Sequence, residues 1–148
     1  MYICTFELNG ESMSQFEIAG RAFPAFSGLG QHTNKRAFMC LPDQGPLPVG
    51  TYYIVDRESG GTLGWLWDIA KSRDKWFALY ADDGRIDDET FCQGVKRGGF
   101  RLHAGRRSEG CITIANSADF NVIRGFLTGK NSHIPSTNTR CYGKVIVK

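Results

Sequence analysis

The sequence has no run of five or six basic residues. Its 18 Lys and Arg stand against 15 Asp and Glu, leaving a formal charge of only +3. Without a concentrated basic patch there is little to attract a nucleic acid, and none is expected as a partner. No stretch approaches the roughly 18 consecutive apolar residues that a membrane span requires. The opening, "MYICTFELNG", lacks a basic start, a long apolar segment and a small-residue cleavage site. It does not read as a Sec signal peptide, so export with this start would use another route or follow removal of a leader. Cys4, Cys40, Cys92, Cys111 and Cys141 include no CxxC or other zinc-like pair, and no structural zinc is expected. An odd number of cysteines leaves at least one thiol free, and the other four can pair in three ways among which spacing does not choose. The plain expectation is that they are buried, unpaired, small hydrophobes. No repeat, linker or low-complexity block is evident.

What is present suits one soluble domain spanning 1–148. Hydrophobic residues make up 41% and charged residues 22%, an ordinary globular balance with enough chain for one core. Eighteen glycines point to many turns and short strands. "YICTFEL" sets Tyr2, Cys4, Phe6 and Leu8 on one face, Asn9–Gly10 is a hairpin signal, and "SQFEIAG" returns with Phe16 and Ile18 inward. "RAFPAFSGLGQHTNKRAF" reads as loop. Thr51–Val55 reads as a strand entered through Pro46 and Pro48, and Trp76–Tyr80 as another. "ESGGTLG" reads as a turn, and "WLWDIAKSRDKW" leaves room for one helical turn. "IDDETFCQGVKRGG" reads as a short helix capped by Asp87 or Asp88 and ending near Gly98. "FRLH" is a strand delivering His103 at its end, and "ITI" follows Cys111 as another. The clearest helix is "NSADFNVIRGFLTG". Asn116 or Ser117 caps it, Asp119 suits its first turn, and Phe120, Ile123, Phe126 and Leu127 recur at helical spacing up to Gly129. "KNSHIPSTNTR" is a polar loop, and "CYGKVIVK" closes as a strand. The fold expected is mainly β, with that helix after Cys111 and the one short additional helix.

One segment concentrates chemistry. "RLHAGRRSEGC", positions 101–111, sets His103 eight residues before Cys111. Thiolate chemistry needs a nucleophilic sulfur, a base to move protons and donors for an oxyanion. Cys111 and His103 supply the first two. Arg106 and Arg107 add positive potential that favours a thiolate. Gly110 leaves space beside the sulfur, so the backbone N–H groups of Gly110 and Cys111 are candidate oxyanion donors. Ser108 either hydrogen-bonds the histidine or braces the turn. The blander alternative is a glycine-bearing turn with an inert thiol and solvated arginines. A papain-like order, cysteine first and histidine downstream, would pair Cys111 with His133. The "ITI" after Cys111 is poor helix-start material for that, and His133 lies in a Pro-bearing loop. His32 reads as a loop residue.

"FRLHAGRRSEGCITI" resembles the signature of YkuD-type L,D-transpeptidases: histidine, variable loop, Ser-x-Gly-Cys, then apolar residues. "GPLPVGTYYI" is similar to that family's Pro-x-Gly-x-aromatic strand, and "NSADFNVIRGFL" to its capped helix after the cysteine. From end to end the chain resembles a narrower group, the L,D-transpeptidase effectors delivered by bacterial type VI secretion, with "FPAFSG" and "WFALYADDGRIDDETFC" adding to the likeness. The resemblance implies a YkuD-like β-sandwich or mixed sheet. It also implies a Cys111 acyl-enzyme that removes or exchanges the terminal D-Ala of peptidoglycan stem tetrapeptides. His103 would be the proton carrier, Ser108 part of the catalytic group, and Arg106, Arg107 and Glu109 substrate contacts. No metal or organic cofactor is implied. The partners implied are the secretion machinery, a cognate immunity protein and wall peptides, with synthesis in the producer cytoplasm and action in a target periplasm. The chain departs from the family at Glu109, where histidine is common, and at Thr113, where arginine is common. Its loop from His103 to Cys111 is also short. A cysteine amidase or peptidase using Cys111 and His133, and a non-catalytic wall-binding module, remain as alternatives.

Overall fold

The computed structural model describes residues 1–57 and 75–148. The turn read in "ESGGTLG" and the helical turn read in "WLWDIAKSRDKW" fall on 58–76 and so lie almost wholly outside the described residues.

Eleven strands are described: β1 Tyr2–Phe6, β2 Ser14–Ile18, β3 Arg21–Phe26, β4 Gly50–Asp56, β5 Phe77–Ala81, β6 Glu89–Cys92, β7 Val95–Gly98, β8 Arg101–Ala104, β9 Ile112–Ile114, β10 Ser132–His133 and β11 Arg140–Val147. The helix α1, Ser117–Gly129, sits between β9 and β10. Nine strands form one sheet in the order β1-β2-β3-β9-β8-β5-β4-β11-β10, and β1 also pairs with β11, so the wall closes on itself as a barrel. β6 and β7 form a separate two-stranded hairpin. The mainly β expectation holds, and the architecture is a barrel with an appended hairpin.

Alternation explains the wall. In β2, Phe16 and Ile18 turn inward while Gln15 and Glu17 face water, the period of two that one buried face imposes. β4 differs, being buried without interruption from Tyr52 to Val55. Its Tyr52 and Ile54 join the barrel core, whereas Tyr53 and Val55 pack outward with Ala78, Ile134 and Cys141. A strand covered on both faces reads as a continuous apolar run.

The helix follows its sequence pattern. Asn116 Oδ1 accepts from the N–H of Ala118 at 2.7 Å and of Asp119 at 3.4 Å, a cap worth about 1 kcal/mol. Phe120, Ile123 and Leu127 are buried in the main core, each contributing about 1.5–3 kcal/mol.

Two local expectations are corrected. The short helix read between Asp87 or Asp88 and Gly98 is the β6–β7 hairpin. Gln93 and Gly94 take φ of 51° and 80°, the paired positive values of a tight hairpin turn, and Thr90, Phe91 and Val95 suit strands. The run starting at Arg21 begins with β3, which holds Pro24. The strand tolerates the missing N–H, and the Pro24 carbonyl accepts from Ala115 N–H at 3.0 Å. The hairpin read around Asn9–Gly10 is present, since β1 pairs antiparallel with β2, but its connection is longer than two residues, β1 ending at Phe6 and β2 starting at Ser14. The Asn9 side chain braces the longer loop through Glu11 N–H and Met13 C=O.

Candidate active site

β8 and β9 run parallel, with Leu102 beside Ile112, His103 beside Thr113 and Ala104 beside Ile114. Residues 105–111 therefore carry the chain back to the start of β8. Leu102, Ile112 and Ile114 point into the core. Side chains of the opposite parity, Arg101, His103, Cys111 and Thr113, share the outer face of the wall. Continuing the register by one places Cys111 next to Arg101, whose main chain and guanidinium both favour the anionic form of the sulfur. His103 and Cys111 are thereby brought to one face of the wall and line one cavity.

His103 is 6% exposed. Its Nδ1 lies 2.9 Å from Ala104 C=O. A carbonyl only accepts, so a neutral ring carries its proton on Nδ1 and keeps Nε2 as the basic end. Thr113 Oγ1 lies 3.5 Å from that Nε2 and donates to Arg107 C=O. Trp76 stacks on the imidazole, with ring centroids 4.1 Å apart and planes 18° from parallel, and Arg57 lies over the Trp76 ring at 5.8 Å.

A cavity of about 570 Å³ opens over this face, with Trp76, His103, Cys111 and four arginines, Arg57, Arg101, Arg106 and Arg107, on its wall. Among the described residues Glu109 is the one acid on that wall, and it is paired with Arg107 at 2.6 Å. Both of those side chains are largely exposed, so this pair adds little stability. Burial pushes the Cys111 thiol above its ordinary value. The Arg101 main chain and guanidinium pull it down, and Glu109 and Asp88 push it up again.

The loop is held from behind. Ser108, 2% exposed, accepts from Gly28 N–H at 3.1 Å and donates to Cys111 C=O at 2.7 Å. Of its two expected roles the structure supplies the brace. Gly110, at φ +124°, packs where a Cβ would lie 2.6 Å from Arg97 Nη2. Arg97 is itself buried, with its guanidinium donating to the carbonyls of Met39, Gly45 and Pro46. Cys40 and Cys92 form a disulfide that ties the β6–β7 hairpin to this same segment. The expectation of unpaired cysteines is thus corrected for two of the five, whose partners are 52 residues apart. Cys4 and Cys141 are buried and free, and Cys111 is free and half-buried at the cavity.

Cys111, His103, Arg106, Arg107 and Glu109 come together at the cavity, while Ser108 and Gly110 support it from below. His133 lies on β10, exposed and paired with Arg140, and is not part of the cavity wall. His32 stacks edge-on against Phe38 and is likewise not part of that wall. Sequence reasoning missed Arg101, Trp76 and Arg57. Arg101 was open to detection, since it lies two residues before His103 in a strand and so shares its face. Trp76 and Arg57 carried no local signal. Among the described residues no group of three or more His, Cys, Asp or Glu side chains converges as a metal site, and no helix is long and apolar enough to cross a membrane.

A family model described as the Tlde1 domain matches residues 21–137. No curated protein and no solved structure matches the chain.

Proposed function

The chain belongs to the Tlde1-domain family of type VI secretion effectors, and from that premise we propose that it is a cysteine acyl-transfer enzyme of the bacterial wall, an L,D-carboxypeptidase and L,D-transpeptidase acting on stem tetrapeptides. The observation that carries this reading is that the free Cys111 and His103 share one face of the β8–β9 wall and line one arginine-rich cavity. Stem peptides bear several carboxylates, and among the described residues of the wall four arginines against one glutamate suit such a substrate.

The reaction runs as ordinary thiol acyl transfer. Burial favours the neutral thiol, so attack is coupled to proton transfer from sulfur to His103 Nε2. The sulfur adds to the carbonyl of the third residue, and the backbone N–H groups of Gly110 and Cys111 are the candidate donors to the oxyanion. The C–N bond then breaks, and D-Ala leaves with the proton from His103. The thioester that remains is attacked by water, which gives a tripeptide carboxylate and restores the thiol. A free D-amino acid attacking instead exchanges the terminal residue, and the amine of a second stem gives a cross-link. No step needs a metal or an organic cofactor. Removal of tetrapeptide donors in a target periplasm accounts for toxicity, with the secretion machinery as carrier and an immunity protein protecting the producer.

The test incubates the protein with diaminopimelate-containing disaccharide tetrapeptide, with and without D-Met, and follows products by mass spectrometry. The expected result is tripeptide or the D-Met product from wild type, and neither from folded Cys111→Ala or His103→Ala. Intact tetrapeptide after incubation with folded wild type over pH 5 to 9 would refute the reading and favour a wall-binding module. Loss of activity in His133→Ala but not in His103→Ala would favour the amidase alternative.

A further inference from the structure

We propose that Arg101, held by Asp88, is a positioning residue for Cys111: the cation that favours the anionic sulfur and aims it into the cavity. This rests on Cys111 being the nucleophile. Arg106 and Arg107 are closer in sequence, but the structure gives neither the position that Arg101 has. Arg101 is the strand neighbour of Cys111 when the β8–β9 register is continued by one residue, and its charge acts on the sulfur. Its guanidinium is on the cavity wall and meets Asp88 with two parallel hydrogen bonds, Nη1 to Oδ1 at 2.9 Å and Nη2 to Oδ2 at 2.8 Å. A third bond runs from Nη1 to its neighbour's carbonyl, Phe100 C=O, at 2.8 Å. The side chain is only 18% exposed. A planar fork gripped this way has one orientation, which a flexible ammonium lacks. Arg107, by contrast, is 68% exposed and turned to Glu109.

The charged and titratable groups around the sulfur come from every side. Arg101 and His103 stand on β8, Arg106, Arg107 and Glu109 on the return loop, Arg97 on β7, Asp88 just ahead of β6, and Arg57 just after β4. Among these, Arg101 combines the register position beside Cys111 with a fixed guanidinium. Asp88 serves as the clamp, and its own charge works against the thiolate.

The experiment measures the rate of iodoacetamide alkylation at Cys111 from pH 5 to 10, read by peptide mass spectrometry, for wild type, Arg101→Gln and Arg101→Lys. Arg101→Gln should move the inflection up by a unit or more, slowing alkylation at pH 7 by on the order of tenfold. Arg101→Lys keeps the charge and loses the fork, so its inflection should rise by less. An unchanged inflection in folded Arg101→Gln overturns the proposal. If that variant does not fold, Arg101→Lys decides: a raised inflection supports the proposal, and one equal to wild type overturns it. The readout uses no wall peptide, so its failure is separate from any failure of the proposed reaction.

Discussion

Reduction of the Cys40–Cys92 disulfide is expected to cost the protein about 4 kcal/mol, from the loop entropy released when a crosslink spanning 52 residues is opened. A chain of this length shifts its midpoint by about 2–4 °C per kcal/mol, so the melting temperature should fall on the order of 10 °C. The loss has a local part. Cys92 ends β6, and Cys40 follows Met39, whose carbonyl receives the Arg97 guanidinium. With the crosslink open, the hairpin carrying Arg97 and preceded by Asp88 is held to the barrel by hydrogen bonds and packing alone. Two contacts of the site therefore loosen together: Arg97 under Gly110, and Asp88 on Arg101. The assay is a thermal melt of oxidised protein with and without a phosphine reductant, beside the double variant Cys40→Ser, Cys92→Ser. Wild type should fall to the level of the double variant on reduction, and the double variant should ignore the reductant. Oxidised and reduced melts within about 2 °C of each other would refute the reasoning, because a crosslink of that span would then not be constraining the unfolded chain.

Gly110→Ala should destabilise the fold by about 2–4 kcal/mol, since φ +124° is strained for any Cβ and the added carbon would land against Arg97, Phe100 and Gly45; urea denaturation gives the value, and a midpoint equal to wild type would refute it. Cys4 gives a pH dependence of known sign. Burial pushes its thiol from 9.0 up to about 12, so above the lower value the unfolded chain has released a proton that the folded chain retains. That stability is complete below about pH 9 and is lost as pH rises toward 12, by about 1.4 kcal/mol per unit. Cys4→Val should flatten the alkaline limb of stability against pH relative to wild type, and equal limbs would count against a buried, neutral Cys4.

Much of the barrel was legible because its signals are local. The cap at Asn116 and the spacing of Phe120, Ile123 and Leu127 define α1 without reference to the rest of the chain. The aromatic and β-branched run at Gly50–Asp56 does the same for β4. The misread elements had competing local signals. The run from Arg21 read as loop, although Phe23 and Ala25 alternate inward. Asp87 and Asp88 resembled a helix cap, whereas Asp87 bonds Glu89 N–H in the turn ahead of β6 and Asp88 binds Arg101. At the site, His103 and Cys111 were legible as a motif, and their place on one face is a consequence of parallel register between β8 and β9. Register is non-local, and so Arg101 on the neighbouring strand was not singled out beside the loop arginines Arg106 and Arg107, which also line the cavity. The disulfide partners were out of reach for the same reason, since 52 residues separate them.

The pairing of β11 has a consequence for the order in which the molecule comes into being. β11 is the last barrel strand in the chain, yet it joins β4, β1 and β10. Every residue before Arg140 leaves the ribosome first, and until Arg140–Val147 follows, β1 and β4 both carry unpaired edges. Domains assemble as synthesis proceeds from the N-terminus, but this wall waits for its final stave, and pairing across so long a chain separation is slow. Open edges in the meantime invite chaperones or aggregation. A half-made chain therefore holds the Cys111 motif without the barrel that presents it, and a cell producing this effector meets the finished cavity only after the final strand has closed.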